Sequence, residues 1–314
     1  MRITIVTPAA PGSQSGNRIT AQRWARILRG LGHQVAIGSV GSKRTDLLIA
    51  LHAQKSAGQI LNFADSFPDR PIVAAISGTD IYGNLDQSRD GMAALDTANT
   101  VVVLEPSALS KLPKRLRAKS HLIRQSATPP SSKLQPLKSC FEVSISGHLR
   151  PEKDPFLIAQ ALEHLPSDSR IRVTHIGGAM SAVMKRKAES FMLKNSRYRW
   201  LGEKKHWQAK RLVARSRLSV NSSLMESSSN AVVEAIVSGV PLLASKVPGN
   251  VGVFGAGYSG YFPVGNSRKL ARLLEQVETD PKFYGEINKH CRTVAKQFTP
   301  AREKAAWRKL IATF

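Results

Sequence analysis

The chain is predicted to be an α/β protein of two doubly wound domains, each built on a parallel sheet, with a cleft between them. Short apolar runs alternate with helical patterns over nearly all of its 314 residues, the pattern left by parallel strands joined through crossover helices. The length exceeds one ordinary domain, so two units of about 150 residues with full cores are expected. Between the two sets of runs lies ATPPSSKLQPLKS, residues 127–139, rich in Pro and Ser and without a hydrophobic period, which reads as a linker.

The first set places strands at 2–7, 34–38, 46–51, 71–76, 100–104 and 120–124. The second places them at 141–146, 171–176, 198–201, 217–221 and 241–244. Segments 281–297 and 300–313 read as helices, and the last is expected to cross back to the first domain. This gives an N-terminal domain at 1–130, a C-terminal domain at 131–298 and a final helix in 299–314. Each half opens with a strand, a Gly-containing polar loop and a helix. Ligands bind such sheets outside the carboxyl ends of their strands, so the loops there are the expected site.

Composition narrows the class. With 42% hydrophobic residues, 22 Gly and 17 Pro, the balance is globular. The opening MRITIVTP is a strand pattern, and no run reaches the roughly 18 apolar residues of a spanning helix, so a soluble, cytoplasmic protein without a membrane span is expected. Cys140 and Cys291 are far apart and lack metal spacing; neither a disulfide framework, a metal site nor another cofactor is expected. The net charge of +24 invites a nucleic-acid reading. It divides as +9 over residues 1–136 and +15 over 137–314, without a basic tail. Clusters at 111–119, 185–187 and 204–210 mostly read as solvated helix faces, the alternatives being attraction of small anionic substrates or incidental polyanion binding, and no specific nucleic-acid partner is expected. Nothing in the pattern fixes an oligomeric state.

The most informative motif is LMESSSNAVVEAIVSGVPLLAS, where Glu226 and Glu234 stand with seven residues between them. A loop at 226–229 should enter a helix capped by Ser229 or Asn230. The amides at Ser228, Ser229 and Asn230, at the positive end of that helix, suit a diphosphate. Glu234, one turn inside, can accept from a ribose diol, and Glu226 faces the sugar. In ISGHLRPEKDPF, Gly147 follows a strand and His148, Arg150 and Lys153 bring donors and cations to a helix start, where charge-assisted bonds offset the growing charge of a leaving diphosphate.

In the first half, TPAAPGSQSGNRITAQRWARIL sets Gly12 and Gly16 before a helix beginning at Asn17 or Arg18, with Asn17, Arg18 and Thr20 as donors to an anion. The spacing is not GxGxxG. His52, Lys55 and Ser56 follow the third strand, Ser77, Gly78, Thr79 and Asp80 the fourth, and Gln125 the sixth, a common edge suited to an acceptor pocket. GxSxG, HExxH and P-loop motifs are absent.

Together these motifs resemble a family 4 glycosyltransferase of the GT-B type, with two Rossmann-like domains. The resemblance spans the opening glycine loop, GTD at 78–80, GHLRPEKD at 147–154 and E-x(7)-E followed by SGVP. It implies that the 147–154 loop binds a donor diphosphate, that Glu226 contacts the transferred sugar and that Glu234 contacts the ribose. A narrower resemblance rests on NRITAQRWARILRGLGHQV, LIALHAQKS, THIGGA, RYRWLGE, PGNVGVFGAGYSGYFPVG and DPKFY. These are similar to the selenosugar synthases of bacterial selenoneine biosynthesis, which join selenophosphate to the sugar of UDP-N-acetylglucosamine.

The sequence departs from these patterns twice. Many family 4 enzymes carry His before GTD, where this chain has Ser77; an already ionised selenium nucleophile needs no general base. The selenosugar group has Gly-Gly after the first glutamate, where this chain has Ser227 and Ser228. Their Cβ atoms could crowd a diphosphate, or their hydroxyls could donate to it. The resemblance implies a transferase in which Arg150 and Lys153 neutralise departing UDP while Gly12, Gly16, Asn17, Arg18, Thr20, His52, Lys55, Thr79 and Gln125 line the acceptor side. Two other readings remain. One is an ordinary sugar transferase with a hydroxyl or lipid acceptor, for which the basic SALSKLPKRLRAKS is interrupted by Pro113. The other is a non-catalytic polyanion binder, against which 6% aromatics without basic interleaving argues.

Overall fold

The computed structural model describes residues 1–38, 44–132 and 134–314, so Lys133 of the expected linker lies outside the described residues. Contacts divide the chain into two units. The N-terminal unit comprises Met1–Ser126, Ser227–Asn230 and Pro300–Phe314; the C-terminal unit comprises Ala127–Glu226 and Ala231–Thr299.

The N-terminal unit holds strands β1 (Arg2–Val6), β2 (Gln34–Ile37), β3 (Leu47–Leu51), β4 (Ile72–Ala75), β5 (Thr100–Val103) and β6 (Ser120–Leu122) in the order β2-β1-β3-β4-β5-β6. Every pairing is parallel. The apolar run LLIAL explains why β3 sits inside: Leu47, Ile49 and Leu51 join one core cluster and Leu48 and Ala50 another, so both faces are covered. The helix Gly16–Arg29 covers one face through Ala21, Trp24, Ala25 and Leu28.

The C-terminal helix Pro300–Ile311 packs in this unit, with Trp307 fully buried edge-on to Trp24, ring centroids 4.8 Å apart. Its Glu303 is 2% exposed. That carboxylate accepts from Trp24 Nε1 at 2.8 Å, Arg23 Nε at 3.0 Å, the Ser126 amide at 2.8 Å and the Ser126 hydroxyl. Burial of the carboxylate is offset because donors satisfy both of its oxygens.

The C-terminal unit holds β7 (Phe141–Ser146), β8 (Ile171–Ile176), β9 (Tyr198–Trp200), β10 (Leu218–Asn221), β11 (Leu242–Ser245) and β12 (Tyr261–Phe262), ordered β12-β11-β10-β7-β8-β9 and again all parallel. One continuous core runs from Val143 and Ile145 to Cys291 and Phe298. The sequence-predicted strands agree with the observed ones to within a residue or two at each end. The two-residue β12 is too short to carry a period and was not expected. The helix expected from Asn17 or Arg18 starts at Gly16, its first turn closed by the Ile19 N–H bond to Ser15 O at 3.1 Å.

Candidate active site

In the C-terminal unit the loops leaving β7, β8, β9 and β10 converge at the carboxyl edge of the sheet. After β7 the chain passes Gly147, His148 and extended Arg150 into the 3-10 turn Pro151–Lys153, then reverses through left-handed Asp154 (φ 40°) to the helix Leu157–Leu162. The loop after β10 is bonded to this turn: Ser222 Oγ donates to the carbonyls of Lys153 and Asp154 at 3.0 and 2.9 Å, and Leu224 N–H donates to Glu152 O at 2.9 Å. These bonds bring Lys153 Nζ into an ion pair with Glu226 Oε1. Glu226 is 7% exposed and also accepts from Ser223 Oγ at 2.8 Å. Arg150 lies on the same loop, its Nε buried and without a hydrogen-bond partner in the protein. A buried, unsatisfied guanidinium N–H marks a place for an acceptor oxygen.

Glu234 lies one turn into the helix Asn230–Val237, and its Oε1 is 2.5 Å from His206 Nε2, at the start of the helix His206–Arg215. The sequence reading missed His206 because it sits inside the basic cluster 204–210 that reads as a solvated face.

The β7 loop is braced by the loop after β8. Gly177 has φ 153°, and a Cβ there would lie 1.9 Å from Gly147 O, so only glycine permits this approach. Gly178 N–H donates to His148 Nδ1 at 3.1 Å, which leaves the His148 proton on Nε2. Fully buried His175 lies 3.3 Å from Gly147 O through Nε2 and 2.7 Å from Tyr198 OH through Nδ1. A carbonyl only accepts, so Nε2 carries the proton and the tyrosine hydroxyl donates to Nδ1. Burial lowers the His175 pKa to about 4 and raises that of Tyr198, so both are neutral at pH 7. Trp200 Nε1 completes the brace on Gly177 O at 2.7 Å. The THIGGA and RYRW segments signalled this contact only as sequence likeness; the close approach is a property of packing.

The N-terminal unit gathers the other predicted residues. Gly12 is exposed and left-handed at φ 81°, Gly16 opens its helix, and Asn17 and Arg18 are half-buried beside it. Thr20 Oγ1 donates to Gln125 Oε1 at 3.2 Å, and Gln125 Nε2 donates to Ser228 O at 2.7 Å. The Asn230 amide is engaged within this unit, donating to Gly16 O at 3.2 Å and Thr20 Oγ1 at 3.1 Å and accepting from Arg23 Nη1 at 2.8 Å. Thr20, Gln125 and Asn230 therefore have their side chains committed to one another and hold the loop rather than present free donors. Ser229 is half-buried next to them.

His52 is also held inward. It is 2% exposed with φ 67°, its Nδ1 lies 2.7 Å from Asp80 Oδ1, and its Nε2 lies 3.0 Å from Thr79 Oγ1. Asp80 accepts further from the amides of Ala53, Gln54 and Ser77, tying the tips of β3 and β4 together. Lys55 is exposed on the turn that follows His52.

Two parallel six-stranded sheets, each wrapped by helices, make up a two-domain α/β fold of the GT-B type. The family described as glycosyl transferases group 1 matches residues 135–297, more than half of the chain, and the chain belongs to that family. Solved structures are similar over the whole length. Anabaena HepE, determined in complex with UDP and glucose, has a TM-score of 0.79 at 16% identity with 100% of each chain covered. Sucrose-phosphate synthase from Thermosynechococcus elongatus has 0.80 at 14%, again with 100% of each chain covered. A glycosyltransferase from Rickettsia africae has 0.71 at 12%, covering 98% of this chain and 97% of that one. At these identities the likeness establishes the fold. Among the described residues no helix is long and apolar enough to cross a membrane.

Proposed function

We propose that the protein is a selenosugar synthase that forms a C–Se bond between UDP-N-acetylglucosamine, or a related UDP-hexose, and selenophosphate. Selenium attacks the anomeric carbon as the bond from that carbon to the UDP oxygen breaks, and UDP leaves with the electron pair. Water then cleaves the Se–P bond and releases phosphate. The observation that carries the donor half is the Lys153–Glu226 ion pair on the loop whose Arg150 Nε has no protein partner. Arg150 and Lys153 offset the charge growing on UDP, Glu226 orients the sugar, and Glu234, aligned by His206, receives the ribose hydroxyls. The HepE complex with UDP and glucose supports a UDP-sugar donor. In the N-terminal unit Gly12, Asn17, Arg18 and Lys55 are assigned to selenophosphate, with Thr20 and Gln125 holding that loop. The reaction as written needs no metal or organic cofactor.

A hydroxyl acceptor is the second reading. It is favoured by the His52–Asp80 pair, which sets an imidazole against the Thr79 hydroxyl and could accept a proton through it. Incubation with UDP-N-acetylglucosamine and fresh selenophosphate, followed by mass analysis, separates the two. The proposal expects UDP release and a selenium-bearing sugar. UDP release only when a sugar or lipid hydroxyl is supplied would replace it with the second reading.

A further inference from the structure

We infer that Asp80, His52 and Thr79 form a proton relay that activates water for the second half of the proposed reaction, cleavage of the bond between selenium and phosphorus. The inference rests on the proposed transfer for its substrate. Every residue it uses lies in the N-terminal unit.

His52 follows β3, and Ser77, Thr79 and Asp80 follow β4; the parallel pairing of these strands brings all four to one carboxyl edge. Asp80 Oδ1 lies 2.7 Å from His52 Nδ1, and a carboxylate only accepts, so in the neutral ring Nδ1 carries the proton. The Lys55 amide, 3.4 Å from Nδ1, is too distant to compete. Nε2 keeps its lone pair and accepts from the Thr79 hydroxyl at 3.0 Å. Ser77 Oγ, 3.2 Å from Thr79 Oγ1, then donates to that oxygen, whose second lone pair can accept from water. Carboxylate, imidazole and hydroxyl in this order, each within hydrogen-bond reach of the next, are the arrangement by which a histidine draws a proton from a hydroxyl.

Three observations favour chemistry over a merely structural tie. His52 is held at φ 67°, costly for a residue with a Cβ, and such strain gathers at active sites. Asp80 is fixed by the amides of Ala53, Gln54 and Ser77, so its carboxylate stays aimed at the ring when the ring gains a proton. His52 and Asp80 are buried while Ser77 and Thr79 are half-buried, so the relay runs from inside the fold outward to its hydroxyls. Ser77 stands where many family 4 enzymes carry histidine, and His52 supplies an imidazole to the same edge from the neighbouring strand.

Water bonded to Thr79 Oγ1 attacks phosphorus. An O–P bond forms as the P–Se bond breaks, and selenium leaves with the electron pair as a selenolate. The water proton passes to Thr79 as the Thr79 proton passes to His52 Nε2, where Asp80 stabilises the imidazolium. The proton then returns through Thr79 to solvent. In the second reading the same pair would instead take its proton from an attacking acceptor hydroxyl.

The test supplies the second half with its own substrate, the S-phosphate of 1-thio-N-acetylglucosamine, without any UDP-sugar, and measures phosphate release above the rate in buffer. Wild type should release phosphate. Thr79→Val should slow release by at least about 10²-fold, the lower end for general-base catalysis. Thr79→Ser, which restores the hydroxyl, should recover most of the rate. That order follows the hydroxyl and not the packing, because valine fills the threonine site better than serine does. Release no faster than in buffer, equal rates for wild type and Thr79→Val, or equal losses in Thr79→Val and Thr79→Ser overturns the relay. Wild type is incubated in parallel with UDP-N-acetylglucosamine and selenophosphate. UDP release there, with any of those overturning results, leaves the transfer standing without the relay; hydroxyl-dependent phosphate release without UDP release retains the relay and removes the transfer.

Discussion

Arg150 and Lys153 lie on one loop but answer to different partners. Lys153 is paired with buried Glu226, whereas Arg150 Nε meets no protein acceptor. Arg150→Ala should therefore leave stability nearly unchanged while lowering kcat about 10²–10³-fold, the usual effect of removing one transition-state donor. Lys153→Ala should lower kcat and also destabilise the fold by about 3 kcal/mol, the low end for a broken buried pair, because 21% of the Lys153 side chain is exposed. Steady-state rates and denaturant curves on both variants check this split. His175 supplies a pH test. Its folded pKa, about 4, lies below the ordinary histidine value of 6.5, so between those values the unfolded chain binds the extra proton. Its contribution is fully present above pH 6.5 and is lost as pH falls toward 4, by about 3 kcal/mol at most. His175→Gln keeps a donor for Gly147 O and should flatten that part of the stability curve; an unaltered curve would show that His175 does not titrate in this window.

At the scale of elements, two contacts decide whether loops and helices stay placed. Gly177→Ala would put a methyl 1.9 Å from Gly147 O, so the β7 and β8 loops must separate. UDP affinity should fall at least about tenfold, since two or more positioned hydrogen bonds are disturbed; unchanged affinity would show that the brace does not position the donor loop. Glu303→Ala leaves Arg23, Trp24 and Ser126 without their acceptor and should cost about 3–5 kcal/mol, measured by thermal or urea unfolding. Element scale is also where the sequence was least legible. Strands β3, β4 and β5 were evident because runs such as LLIAL are apolar on both faces. Glu303 gave no sign, because a glutamate in a basic amphipathic helix ordinarily faces water, and only the fold turns it onto Trp24. Gly177 and His206 were equally hidden, since the need for a glycine and the approach to Glu234 come from loops distant in sequence.

For the whole molecule, the paired Rossmann-like topology was readable from alternation, length and the Pro-rich stretch, whereas the transferred sugar and its acceptor are not written in any period. The chain's +24 charge belongs to this scale. If it attracts two anionic reactants, raising ionic strength should increase KM for both while leaving kcat little changed, because exposed charges are screened within about 10 Å at 0.1 M salt. A protein built to hold polyanions would instead show its main salt dependence in retention on nucleic acid. On the proposed reading Glu226, Glu234 and the cationic 147–154 loop hold a UDP-sugar. Calorimetric titration of UDP-N-acetylglucosamine into the wild type and Glu234→Ala tests it most directly: saturable binding by the wild type and none by the variant is predicted, and equal affinity for the two would contradict it.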